Sequence, residues 1–124
     1  MKCKKTVEFD LPWPPTLNTY YRRHTIGRKI FTSLSKGARI YKKQVEYIVV
    51  KECLKLGIDQ PFEIEFYAFP PDNRKRDVDN LLKAPMDAME SAGVFKNDSL
   101  CWSLKIKKYN YVKAGLLKVV IHYD

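Results

Sequence analysis

Hydrophobic and polar residues alternate along four stretches of this chain, and such alternation predicts half-buried β-strands. The four stretches are residues 6–11, 62–69, 100–109 and 116–123. The first stops at Pro12 and the second at Pro70, because proline cannot donate a hydrogen bond to a neighbouring strand. A turn at residues 110–115 separates the last two stretches, which we therefore predict to form a closing antiparallel hairpin.

Two further patterns lie between the first and second strands. Residues 18–23 and 28–32 flank Gly27 and predict a short, exposed, basic hairpin. Residues 34–56 place apolar side chains at helical spacing, and Gly57 stands where a C-terminal cap belongs. This stretch therefore predicts a long first helix.

A second predicted helix covers residues 80–92 and ends before Gly93. Asp79 or Asn80 is its expected N-cap. Pro85 falls inside the helix and removes a backbone hydrogen bond, so we expect a distorted first turn. The order of elements predicts an α+β fold, with two helices packed on a mixed sheet of about four main strands plus the small hairpin.

The 124 residues, of which 45% are hydrophobic, are enough for one domain with its own core, which we expect to span residues 1–124. The cysteines are odd in number and scattered, which argues against a disulfide framework and against zinc. They are Cys3, Cys53 and Cys101. No apolar run is long enough for a signal peptide or a membrane span, so we expect a cytoplasmic protein without a membrane partner.

Charge is unevenly distributed along the chain, whose formal net charge is +9. Residues 11–45 contain eight cations and no acid, whereas six of the 14 acids lie within residues 72–98. A basic surface with one acidic segment favours an enzyme that acts on nucleic acid over a simple binding module, which has no use for the acids. A solvated basic surface without function is the alternative interpretation of the cations alone.

The acidic segment contains the candidate chemistry. Asp77 and Asp79 are one residue apart, so in an extended loop both carboxylates can face one Mg²⁺ ion, which prefers oxygen ligands. We expect the second helix to return Asp98 beside this pair and to present Lys83 to a scissile phosphate. A capping role would explain Asp79 alone and a charged loop would explain residues 74–76 alone, but neither accounts for the whole set.

Other polar residues are expected to surround this site. Cations of the hairpin and of the loop are candidates for contacts with a nucleic-acid backbone, which give affinity without sequence information. These cations are Arg22, Arg23, Arg28, Lys29, Arg74, Lys75 and Arg76. Three further residues are candidates to support the metal ligands: Asp72, Asn80 and Asn97.

These motifs resemble the RusA family of Holliday-junction resolvases, which occur in bacteria and their prophages. The resemblance covers nearly the whole chain. It rests on residues 11–15 (Leu-Pro-Trp-Pro-Pro), on Asn18, Tyr20, Tyr21 and Arg22, on Arg76, Asp77, Asp79, Asn80, Leu81 and Lys83, and on Asp87, Ala88, Ala92, Gly93 and Asp98. The family pattern has two adjacent aspartates where this chain has Asn97 and Asp98, and a helix-compatible residue where it has Pro85.

The resemblance implies a homodimeric, Mg²⁺-dependent endonuclease. We expect that Mn²⁺ can replace Mg²⁺ and that no small-molecule cofactor is needed. Such an enzyme resolves four-way DNA junctions by paired symmetric nicks during recombination and repair. By position, Asp77, Asp79 and Asp98 correspond to the catalytic metal-binding aspartates, and Lys83 to the catalytic lysine. Two alternatives stay open on the residues alone. One is a catalytically silent nucleic-acid-binding protein, and the other is a metal-dependent nuclease acting on other branched DNA.

Overall fold

The strands and helices predicted from the sequence pattern are present in the computed structural model, which describes residues 5–124. The strands are β1 (Lys5–Leu11), β2 (Tyr21–Ile26), β3 (Lys29–Leu34), β4 (Phe62–Phe69), β5 (Cys101–Lys108) and β6 (Leu116–Tyr123). The helices are α1 (Lys36–Lys51) and α2 (Lys83–Ala92), and short 3₁₀ turns cover Leu17–Thr19, Val78–Leu81 and Asp98–Leu100. The predicted α+β fold is confirmed.

The main sheet has four strands in the order β1-β6-β4-β5, and β2 pairs with β3 as a separate hairpin. β6 is antiparallel to both of its neighbours, whereas β5 pairs with β4 in parallel. The predicted closing hairpin of residues 100–109 and 116–123 is therefore wrong, because β4 lies between these strands. Alternation identifies a strand and its buried face but does not identify its partner.

The connection from β5 to β6 passes over the end of β4 instead of turning back on β5. The amide of Tyr109 donates to the carbonyl of Ala68 at 2.8 Å, and the amide of Val112 donates to the carbonyl of Pro70 at 2.8 Å. These bonds carry the chain across β4 before β6 begins.

A parallel pair of strands needs a crossover connection, and α2 supplies it between β4 and β5. In such a unit the helix runs antiparallel to the two strands. The loop that leaves β4 and the turn that enters β5 therefore lie at opposite ends of the sheet. This arrangement decides where the candidate site residues are placed.

The first helix ends at Lys51, earlier than predicted. Cys53 adopts a left-handed conformation with φ of 56°, and the amide of Leu54 bonds back to the helix, so the chain leaves α1 there. The predicted cap, Gly57, instead donates its amide to the carbonyl of Gly93 at 2.9 Å. Gly93 itself ends α2 as predicted, with φ of 91°.

Pro85 distorts the second helix as expected. The predicted helix is divided into the 3₁₀ turn Val78–Leu81 and α2, and Pro85 lies in the first turn of α2. A backbone N–H in the first turn of a helix has no acceptor within the helix, so proline, which lacks this N–H, is tolerated there. The predicted N-cap is wrong, because Leu82 occupies that position in place of Asp79 or Asn80.

The core lies between one face of the main sheet and the two helices, which also pack against each other. Its largest fully buried side chains include Phe62, Phe66, Phe95, Leu117 and Ile121. Among residues 5–124, every buried side-chain nitrogen or oxygen has a hydrogen-bond partner. Neither helix in this range is long and apolar enough to cross a membrane. Cys53 and Cys101 are free thiols, and Cys3 lies outside the described residues.

Candidate active site

The loop that leaves β4 is held in shape by Asp72. Its carboxylate accepts a hydrogen bond from the amide of Arg74 at 3.0 Å and forms ion pairs with Arg74 Nε at 3.3 Å and Arg76 Nη1 at 2.7 Å. The hydrogen bonds from Arg76 and from the Arg74 amide lower the pKa of Asp72 to about 2. Asp72 therefore supports the loop that carries Asp77, as a structural partner of the two arginines.

Arg76 is packed within the loop. Its guanidinium donates to the carbonyl of Asp72 at 3.2 Å and lies 5.8 Å from the ring centroid of Trp13, and only 15% of its side chain is exposed. Gly115 lies close to Trp13: a Cβ at Gly115 would lie 2.8 Å from the Cβ of Trp13. The sequence identified Trp13 only as part of a family motif, but the structure places it beside the site.

Asp77 lies at the end of the extended part of this loop and Asp79 lies in the 3₁₀ turn that follows. Both are exposed. The amide of Asn80 donates to the carbonyl of Asp77 at 3.2 Å, which closes the turn. The extended geometry expected for the pair therefore ends at Asp77, although the two carboxylates stay on one short segment.

Lys108, at the end of β5, is a site residue that the sequence did not indicate. Its Nζ donates to the carbonyl of Arg76 at 3.4 Å, and together with Lys75, Arg76 and Asp77 it lines an open cleft of about 410 Å³. The parallel pairing of β5 with β4 brings Lys108 to this loop. The antiparallel hairpin of β5 and β6 predicted from the sequence gave no reason to expect Lys108 beside this loop.

Asp98 lies at the other end of β5. It is exposed in the 3₁₀ turn that precedes Cys101, and its amide donates to Glu90 Oε1 at 2.7 Å. Asn97 caps the same turn, since its Oδ1 accepts from the amide of Ser99 at 2.8 Å. The eight residues of β5 span on the order of 25 Å.

Asp98 is therefore separated by most of a strand length from Asp77, which lies beside Lys108. The expectation that the second helix returns Asp98 to the pair is wrong within a single chain, because α2 is a crossover between parallel strands. Consistently, no group of three or more His, Cys, Asp or Glu side chains in residues 5–124 is close enough to hold a metal ion. The ligand roles of the three aspartates stay predictions.

Lys83 begins α2, directly after the turn that carries Asp79. Its Nζ lies 3.4 Å from Asp87 Oδ2, and 42% of its side chain is exposed. The same Oδ2 accepts a hydrogen bond from the hydroxyl of buried Tyr20 at 2.7 Å. Partial burial lowers the pKa of Lys83, but Asp87 and, to a smaller extent, Tyr21 raise it, and the net result is a raised pKa. Lys83 is therefore a cation at neutral pH.

Asp87 and Tyr20 entered the sequence analysis only as parts of a family motif. The four-residue spacing of Lys83 and Asp87 on a helix could have indicated their ion pair. Tyr20 is far away in the sequence, and its contact with Asp87 follows only from the tertiary structure.

The cations of the β2–β3 hairpin are exposed. Within residues 5–124, none of the four forms an ion pair with an acidic side chain. They are Arg22, Arg23, Arg28 and Lys29. They are thus available to bind an anion such as a phosphate backbone.

Fold and site together define an α+β domain in which exposed carboxylates lie among cations, a combination suited to phosphodiester chemistry. The family model described as Endodeoxyribonuclease RusA matches residues 12–122, and the chain belongs to this family. The resemblance found in the sequence is confirmed.

Similar proteins include the Crossover junction endodeoxyribonuclease RusA of Shigella sonnei (strain Ss046) and of Escherichia coli (strain K12). Another carries the same name in Enterobacteria phage 82. Each is 36% identical to this chain over 116 residues, which cover 94% of this chain and 93% of the relative.

Proposed function

We propose that this protein is an endonuclease that resolves four-way DNA junctions by cutting phosphodiester bonds. Membership of the family and the names of the relatives support this function. The observation that carries it is that exposed Asp77 lines a cleft together with Lys75, Arg76 and Lys108, and exposed Asp79 lies in the turn that follows. A binding protein would have no use for carboxylates that repel its ligand.

The exposed carboxylates fit a hard divalent cation such as Mg²⁺, with Mn²⁺ as a substitute. Mg²⁺ is commonly bound through one or two carboxylates together with substrate phosphates, and Asp77 and Asp79 form no ion pair in the described part of the chain. Once bound, the ion would supply an activated water and neutralise charge on the phosphate. Lys83 binds the phosphate as a fixed cation, and Lys75 and Lys108 hold the neighbouring backbone.

We further propose a homodimer in which Asp98 of the partner subunit completes each site. The separation of Asp98 and Asp77 at the two ends of β5 supports this proposal. A two-fold axis perpendicular to β5 and near its middle would reverse the strand direction, and so bring the start of one β5 to the end of the other. β5 is an edge strand, and Trp102 on it is 70% exposed, which supports a contact at this surface. Two such sites match the near two-fold symmetry of a four-way junction.

The test replaces each aspartate by the amide of the same shape: Asp77→Asn, Asp79→Asn and Asp98→Asn. We expect each variant to nick a synthetic four-way junction at least about 100-fold more slowly, because a ligand charge is lost. Binding should be unchanged or tighter, because repulsion with phosphate falls. Nicking is measured with and without Mg²⁺ on the junction and on linear duplex, and binding by gel shift in EDTA.

Asp10→Asn is the matched control, since Asp10 is an exposed aspartate on β1, at the opposite edge of the sheet from β5. It should nick at the wild-type rate. Undiminished cutting by any of the three variants removes that residue from the site, and cutting without divalent metal contradicts the proposed chemistry.

A further inference from the structure

Asp87 joins the base of the hairpin to Lys83. The Tyr20 hydroxyl and the Lys83 ammonium meet on the same carboxylate oxygen, Asp87 Oδ2, at 2.7 Å and 3.4 Å. Tyr20 immediately precedes β2, and its carbonyl accepts a hydrogen bond from the amide of Ser35, which caps α1, at 2.9 Å. These contacts connect three elements of the fold at one carboxylate.

We propose that Asp87 and Tyr20 are positioning residues that hold Lys83 for its contact with the scissile phosphate. The proposal rests on the function proposed above for Lys83. Asp87 acts on the ammonium, and Tyr20 acts through Asp87.

Lysine needs such a partner more than most side chains do. Its four-carbon stem is flexible and has many rotamers, so an unpaired lysine samples many positions. An ion pair at the next helical turn limits this sampling, because Lys83 and Asp87 lie on the same face of α2. Small displacements of a group that binds the reacting phosphate reduce the rate strongly.

Asp87 itself is held by a rigid donor. Tyr20 is 1% exposed, so its ring cannot turn away, and burial followed by the Asp87 hydrogen bond raises the pKa of its hydroxyl. The hydroxyl therefore remains protonated, and a hydrogen-bond donor, at neutral pH. The ring of Tyr20 also meets Tyr21, the first residue of β2, edge-on at 4.9 Å. The base of the hairpin and Lys83 are thus connected through Asp87.

Two conservative variants test the proposal. Asp87→Asn keeps the shape and removes the charge, and Tyr20→Phe keeps the ring and removes the donor. We expect single-turnover nicking of a four-way junction to fall on the order of 10- to 100-fold for Asp87→Asn and less for Tyr20→Phe. Junction affinity, measured by gel shift, should stay within about 2-fold, because Tyr20 is buried and Asp87 is an anion, so neither is suited to bind a phosphate.

Matched controls remove equivalent groups elsewhere. Tyr41→Phe deletes another buried tyrosine hydroxyl, which donates to the carbonyl of Pro12 at 3.0 Å, and Asp10→Asn deletes an exposed carboxylate on β1. Both controls should cut at the wild-type rate. If Asp87→Asn and Tyr20→Phe cut no more slowly than these controls, the positioning role is overturned.

A double variant separates positioning from a purely structural role. If Asp87 acts through Lys83, adding Asp87→Asn to Lys83→Ala should leave the residual rate unchanged. A further loss of rate in the double variant would show that Asp87 acts elsewhere. Wild-type cutting by Lys83→Ala would overturn the role of Lys83 as well. If Lys83→Ala cuts slowly but Asp87→Asn and Tyr20→Phe cut at the wild-type rate, only the positioning role is overturned.

Discussion

At the scale of single residues, Asp72 determines the shape of the loop that carries Asp77. Its folded pKa of about 2 lies below the usual value of ~3.9, so its ion pairs stabilise the loop above about pH 4 and are lost as the pH falls towards 2. We predict that Arg76→Gln moves this pKa towards the usual value, because the largest cause of the shift is removed. An NMR titration of the Asp72 carboxyl carbon measures the midpoint.

Arg74→Gln is the control for this titration. Arg74 pairs with the same carboxylate, but 82% of its side chain is exposed, so water screens the pair. The midpoint should therefore move less in Arg74→Gln than in Arg76→Gln. If the midpoint moves equally in the two variants, the low solvent exposure of Arg76 does not strengthen its effect on the pKa of Asp72.

At the scale of elements, the pairing of β2 with β3 divides the basic residues between two faces of the hairpin. Arg22 lies opposite Ser33 and Ile26 lies opposite Lys29, so Arg22 and Lys29 share one face and Arg23 lies on the other. Arg23 shares its face with Tyr21, which lies beside Lys83. The site therefore faces the Arg23 side of the hairpin.

We predict that Arg23→Ala makes the salt dependence of junction binding shallower, by about 0.9 in the slope of log affinity against log salt for one lost phosphate contact. Arg22→Ala and Lys29→Ala serve as controls on the opposite face and should change the slope less. Affinities are measured over a range of salt concentrations in EDTA. An unchanged slope in all three variants would mean that the hairpin does not touch DNA.

At the scale of the whole molecule, a shared site predicts complementation between inactive subunits. Consider a heterodimer of one Asp77→Asn subunit and one Asp98→Asn subunit. Because each shared site takes Asp77 from one subunit and Asp98 from the other, one site carries both substitutions and the second site carries neither. Random mixing should therefore restore about one quarter of the wild-type sites, and each active dimer should make a single nick. Co-expression with two different affinity tags isolates the heterodimer, and nicking of a labelled junction measures the recovered activity.

A heterodimer of Asp77→Asn and Asp79→Asn is the control for complementation, because both aspartates belong to the same loop. Each of its sites keeps one defect, so it should remain inactive. Inactivity of the purified Asp77→Asn and Asp98→Asn heterodimer would contradict a site shared between subunits.

Local patterns were enough to predict the elements of the fold and the kind of chemistry. The alternation of Phe62, Ile64 and Phe66 predicts β4 because side chains in a strand point to opposite faces in turn. Pro85 indicates where the second helix is distorted, because proline restricts its own backbone. Gly93 indicates where the helix ends, because glycine adopts the left-handed conformation freely. The charges of Asp77, Asp79 and Lys83 indicate phosphate chemistry wherever the chain places them.

The tertiary structure alone decided which of these groups meet. Period-two alternation does not name a strand's neighbour, so the parallel pairing of β5, and with it the distance from Asp98 to Asp77, could not be predicted. The bond between Lys108 and Arg76 joins residues 32 positions apart, and that between Tyr20 and Asp87 joins residues 67 positions apart. Such contacts depend on how the sheet and helices pack together, which is a property of the whole chain and leaves no signal in any single segment.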